Sequence, residues 1–198
     1  MRWAIESMRY SWGSQEKSDT VIRGGITRIG ATDLTLAKKL IRRGGSHRKF
    51  LRHIRVWAEL RLPRYIWTEL DTYKVGTVRV SESTVHTITR KPITEYDYVS
   101  SVFPSRINEL NQLISLYSEE KDKDKKREIH KKIKANLPEG FLQSSIFSAN
   151  YETLIRIWIE RHNHRLEEWH EICSWIESLP YMRDFLDNKE KIFVKIIE

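Results

Sequence analysis

Residues 54–62, IRVWAELRL, alternate without a break. Ile54, Val56, Ala58, Leu60 and Leu62 fall on one side, and Arg55, Trp57, Glu59 and Arg61 on the other. A period of two fits a half-buried strand and not a helix, so the chain must build a sheet with one covered face. Pro63 ends the run, because proline brings no N–H to a strand ladder.

Most of the remaining signal is helical. Over residues 33–43, Leu36, Leu40 and Arg43 share one side, and Leu34, Ala37 and Ile41 widen the apolar stripe. Thr32 or Asp33 can cap that helix, and Gly44–Gly45 stops it. A short helix is expected at about 47–52 and another over 64–73. Residues 104–117 carry Ile107, Leu110, Leu113, Ile114 and Leu116 at helical spacing. The charged stretch 119–134 reads as a solvated helix or hairpin. Residues 150–179 form the longest helical stretch, with Leu154, Ile157, Trp158, Ile159, Leu166, Trp169, Ile172 and Trp175 on buried faces. Residues 1–31, with Gly24, Gly25 and Gly30, read as short strands and turns. Residues 77–88 read as extended or irregular, and 193–197 as a final strand. The sum is a single helix-rich α+β domain over residues 1–198 with a small antiparallel sheet.

Charge is placed unevenly. The formal net charge is +8, and residues 34–58 hold eight Lys or Arg and no Asp or Glu, so the rest of the chain is formally neutral. Such an excess favours phosphate-bearing partners: a nucleotide, a dinucleotide cofactor or nucleic acid. It also fits a solvated basic helix face. No run of 18 apolar residues is present, so no membrane span is expected, and residues 1–19 lack the apolar stretch of a signal peptide. The single cysteine, Cys173, excludes an intrachain disulfide and points to a cytoplasmic location. Cys173 lies in an apolar helical run and reads as core.

Common catalytic motifs are missing. There is no HExxH, GxSxG, Walker loop or GxGxxG. His47, His53, His162, His164 and His170 are not spaced as zinc ligands with carboxylate or cysteine partners. This absence suits chemistry carried by a cofactor that the protein only positions.

Three segments resemble one family. Ser46-His47-Arg48-Lys49-Phe50-Leu51-Arg52-His53 runs straight into the strand that ends at Pro63. This is similar to the S-H-x5-H and strand of flavin-dependent thymidylate synthases. Residues 67–77, WTELDTYKVGT, and then Ser81-Glu82-Ser83-Thr84-Val85-His86 fall where that family carries R-Q-W-x-R-H-R-x-x-S and N-E-x-S-x-R-Y. Leu137-Pro138, Asn150 twelve residues after the proline, Arg161 eleven further, and Trp169-His170-Glu171-Ile172 resemble its L-P, N-x-R-S-L, R and Q-W-E-I. The wording of residues 67–78 resembles a divergent branch among virus-encoded relatives, for which the location would be the host cytoplasm.

The resemblance implies a homotetramer with flavin adenine dinucleotide (FAD) between subunits. It implies transfer of a one-carbon group, methyl or hydroxymethyl, from methylenetetrahydrofolate to a pyrimidine deoxynucleotide such as deoxyuridylate (dUMP). Flavin reduced by NADPH would supply hydride, and no protein side chain would act as nucleophile. Carried over by position, His53, Lys74 and Asn150 would hold the cofactor, and Glu69, Ser81, Glu82, Ser83 and Arg161 the substrate. His53 also fits a helix C-terminal cap, and Asn150 a helix N-cap. The sequence departs from the pattern at R-H-R, where only Lys74 keeps a positive charge, at Glu69 for glutamine, and at Glu152 and Glu168. Lysine cannot reproduce the bidentate arginine fork. Whether the chain is an enzyme is therefore left open. The alternatives are a non-catalytic oligomer, or a nucleic-acid-binding or regulatory module on the same fold.

Overall fold

The computed structural model describes residues 1–187. In chain order its helices are α1 (Arg2–Tyr10), α2 (Ala31–Arg42), α3 (Arg64–Leu70), α4 (Thr84–Thr87), α5 (Pro104–Glu119), α6 (Lys123–Asn136), α7 (Tyr151–Arg161), α8 (Glu167–Ser178) and α9 (Met182–Leu186). Its strands are β1 (Val21–Arg23), β2 (Ile26–Arg28), β3 (Arg55–Pro63), β4 (Thr77–Ser81) and β5 (Leu142–Asn150). The strand expected at 193–197 lies outside the described residues.

The chain divides into two compact units. The first takes Met1–Trp57, Tyr73–Val78 and the chain from Ser148 onward; the second takes Ala58–Thr72 and Arg79–Phe147. Strands β3, β5 and β4 form one sheet in that order and pass through both units. Ile54 O accepts from Tyr151 N, and Phe141 O accepts from Arg64 N, so β3 and β5 run antiparallel. Exposure along β3 alternates as its sequence pattern requires, with Pro63 at its end.

In the first unit, α1 replaces the turns expected at residues 1–31. Ala4, Ile5 and Met8 are buried on one helix face, a stripe too short to stand out beside the glycines that follow. Gly24 and Gly25, both at positive φ, close the β1–β2 hairpin, the geometry of a two-residue turn matched to strand twist. Neither Thr32 nor Asp33 caps α2. The Asp19 carboxylate accepts from both their backbone N–H groups, at 2.8 and 3.0 Å. Asp33 turns inward, where Arg9 Nε donates to its Oδ1 at 2.7 Å and Ser18 and Thr20 hydroxyls donate to its Oδ2. Gly44, at φ +87°, ends α2 as expected. Phe185 meets Phe50 and Tyr151 edge to face. Burial pushes the Tyr151 hydroxyl up to about 12 and the Cys173 thiol up to about 11.

The stretch 150–179 is two helices, not one. His164 N donates to Arg161 O, and Leu166 takes an extended conformation before α8. The apolar faces continue on either side of this break, which hides it from a periodicity count.

In the second unit α5 and α6 pack as a helical hairpin. Ile107, Leu110, Ile114, Ile133 and Leu137 are buried there with Ile88 and Ile93. The charged stretch expected to be exposed helix or hairpin is α6. Trp67 packs against Phe147, with ring centroids 6.3 Å apart.

Candidate functional site

The first candidate feature is a cleft of about 310 Å³ within the first unit. A 3₁₀ helix, Arg48–His53, presents Lys49 and His53 to it, with His47 just before. Ser7 and Ser11, at α1 and just past its end, add hydroxyls, and Trp12 adds an indole. Phe50 is buried and Leu40 completes the apolar lining. Two imidazoles, an ammonium, hydroxyls and an indole suit a ligand that carries both a ring and an anionic group. His53 is the exposed last residue of this short helix.

The opposite flank of the same 3₁₀ helix meets α7. Arg48 Nε donates to Glu152 Oε1 at 2.9 Å, and Arg52 Nε donates to Glu152 Oε2. Burial raises the proton affinity of this carboxyl, but the two arginines outweigh it and hold its pKa below the ordinary value. Glu152 also sits in the first turn of α7, where the helix dipole favours an anion.

Asn150 caps α7. Its Oδ1 accepts from Thr153 N at 2.9 Å. Val75 O accepts from Thr153 Oγ1 at 2.7 Å, and Gly76 O accepts from Asn150 N at 3.1 Å. Gly76 has φ +81°, and a Cβ there would lie 2.1 Å from Asn150 Nδ2. Only glycine allows the 75–76 backbone to lie this close to the helix start.

Farther along α7, the Tyr73 hydroxyl donates to Glu160 Oε2 at 2.8 Å and accepts from Arg161 Nε at 3.0 Å. Arg161 is half-buried, and its guanidinium stacks on Trp169, 4.9 Å from the ring centroid. Burial, then the Glu160 contact, push the Tyr73 pKa up. The Glu160 carboxyl is raised by burial but held lower overall, chiefly by hydrogen bonds from Arg156 and Tyr73. Lys74, beside this cluster in sequence, is exposed.

In the second unit, the side chains of Ser81, Glu82 and Ser83 are exposed where β4 leads into α4. Glu82 is fixed through its backbone: its N–H donates to Ser144 O, and its carbonyl accepts from Gln143 Nε2. Glu69 is half-buried on α3. The ordered cation here is Arg79, which sequence reasoning did not single out. It donates to Asp71, Gln143 and Ser145 and lies 4.1 Å over the Trp67 ring. Its place in the alternation of β4, with Asp71 nearby in sequence, was the available signal. Among the described residues no group of three His, Cys, Asp or Glu could hold a metal.

Three segments far apart in sequence thus meet on α7. Residues 46–53 arrive through Arg48 and Arg52, residues 73–77 through Tyr73 and Gly76, and residues 150–169 supply the helix and Trp169. Two solved structures share this architecture, both of the flavin-dependent thymidylate synthase ThyX from Helicobacter pylori with FAD and dUMP. One superposes with a TM-score of 0.69 at 22% identity, covering 96% of this chain and 94% of its own. The other gives 0.67 at 22% identity, covering 93% of each chain. The chain has the ThyX fold. No family model and no curated protein matches it in sequence, so the likeness to ThyX lives in the backbone. The helix-rich chain with small antiparallel sheets is the fold class expected from the sequence.

Proposed function

We propose that the chain is a flavin-dependent thymidylate synthase-like protein acting on a pyrimidine deoxynucleotide, with residues 1–198 as one domain of that type. The observation that supports this reading most is that parts of the three resembling segments, Arg48 and Arg52, Tyr73 and Gly76, and residues 150–169, meet at α7 within a ThyX fold. The cleft beside His53 lies at the small end of ligand pockets, which run from about 300 to 1,000 Å³. It suits one end of a dinucleotide, held by His47, Lys49 and His53, with Asn150 and Lys74 contributing at the α7 start. When bound, reduced flavin would supply the hydride for one-carbon transfer from methylenetetrahydrofolate, NADPH being the reductant. The protein's own part is to orient and to shield: Arg161, fixed by Tyr73 and Trp169, would position the pyrimidine.

A cleft this small leaves the rest of a dinucleotide to be covered by another copy, in keeping with a homotetramer. Trp3 and Trp12, 68% and 87% exposed, offer aromatic surface for such a contact. The wording of residues 67–78 supports placement in a virus-type branch, with the host cytoplasm as location.

A non-catalytic role is the second reading, and one observation favours it. Arg161, Arg48 and Arg52 are all engaged within the chain, by Tyr73 and Glu152. Absorbance from about 300 to 550 nm and a titration with FAD, with and without dUMP, separate the two. Saturable flavin binding, strengthened by dUMP and weakened in Arg161→Ala, is expected. No flavin response in the presence of dUMP would leave the non-catalytic reading.

A further inference from the structure

At least four of the eight cations of the basic window at 34–58 are engaged inside the first unit: Arg48 and Arg52 pair with Glu152, Lys38 with Asp184, and Arg55 donates to Ser148. Helix α6 in the second unit is different. Its spacing puts Lys123, Lys126, Arg127, His130 and Lys134 on one stripe. Ile133 is fully buried and Ile129 partly buried on the face toward α5. The acids of α6, Asp124 and Glu128, lie off the stripe; Glu128 sits 3.9 Å from Lys131, also off it. Among the described residues no carboxylate lies within ion-pair distance of the stripe cations.

Beside the stripe runs a groove of about 350 Å³, lined by Val85, Tyr117, Lys123, Lys126, Arg127 and His130. The Tyr117 and His130 rings lie 5.8 Å apart, and Lys126 Nζ lies 4.6 Å from the Tyr117 centroid. His130 Nε2 donates to Val85 O at 2.9 Å, which fixes its ring. Like charges at this spacing repel one another, and an anionic polymer relieves that repulsion. From Lys123 to His130 the stripe runs beside the groove for roughly 10 Å, room for about two successive phosphates, while Lys134, half-buried, donates to Thr84 Oγ1.

We propose that this groove and stripe bind single-stranded nucleic acid, with phosphates on Lys123, Lys126 and Arg127 and a base against the Tyr117–His130 rings. Cations beside an aromatic platform are the means by which proteins hold single strands without reading sequence. A membrane surface fits less well, because α6 exposes no Trp, Phe or Leu to insert. The inference goes beyond the proposed nucleotide chemistry and uses none of its residues.

The test is fluorescence anisotropy of a labelled oligodeoxythymidylate of about 20 nucleotides, titrated with the full chain from about 50 mM salt upward. Binding that weakens log-linearly with salt is expected. Lys126→Gln with Arg127→Gln should lower affinity at least ten-fold and flatten the salt slope by about 1.4, at roughly 0.7 per lost contact. Tyr117→Leu should cost about ten-fold with the slope unchanged, since stacking carries no charge. Lys39→Gln with Arg43→Gln, exposed in the basic window, should change little. Circular dichroism checks folding; should Tyr117→Leu unfold, the Gln pair decides alone. Absence of binding overturns the proposal. So does loss in the Lys39/Arg43 variant alone, or tighter binding to phosphatidylserine-containing vesicles than to the oligonucleotide.

Discussion

Glu152 is a carboxylate with 16% of its side chain exposed, between Arg48 and Arg52. Its folded-state pKa lies below the ordinary 4.5, since the arginine contacts outweigh burial. A depressed carboxyl contributes stability that is present above 4.5 and is lost as pH falls through the lower folded value. Glu152→Gln should therefore destabilise the protein at pH 7 by about 1–2 kcal/mol. That gap should shrink in acid below the lowered folded value, where the native carboxyl takes up its proton. Urea unfolding midpoints at pH 7 and in that acid range test this, and an equal gap at both would count against the arrangement. The buried Arg9–Asp33 pair follows another logic. With Asp33 fully buried and Arg9 5% exposed, removal of either partner strands a charge.

At the scale of elements, α7 depends on its first turn. Asn150→Ala removes the oxygen that accepts from Thr153 N and should cost about 1 kcal/mol, read as a lower urea midpoint. Asn150→Ser, which can still cap, should recover most of it. What was legible in the sequence follows physical rules. Strand β3 declared itself because one face is covered and the other wet, so its alternation survives in the residue pattern. Strand β5 did not: it is the middle strand, and residues 147–150 are buried in succession, which leaves no alternation to detect. Helix α1 was missed because its outward residues include Trp3 and Tyr10, both exposed, which blur the line between its faces. The α7–α8 break was missed because Trp158 and Trp169 continue the apolar rhythm across it.

For the whole molecule, the candidate site was legible as positions and not as partnerships. Arg161 was marked out by the resemblance, but the contact that holds it comes from Tyr73, and the one that holds Arg48 and Arg52 from Glu152, both residues that looked like losses. If the chain assembles as the resemblance implies, sedimentation equilibrium should give a tetramer. Trp3→Ser with Trp12→Ser should then shift the mass downward without loss of helical signal. A monomer at all concentrations would remove the support that assembly lends to the cofactor reading.

The acid at 152 and the bases at 48 and 52 also constrain how this sequence can change. A basic residue at 152 would put a third positive charge against Arg48 and Arg52, and an acidic residue at 48 or 52 would face Glu152. Neither side can switch sign alone without passing through a repulsive intermediate. The arrangement is a ratchet: once set, it admits a change of sign only when positions on both sides change together. A double exchange, Glu152→Arg with Arg48→Glu, still sets Arg52 against the new cation, so a full crossing takes all three positions.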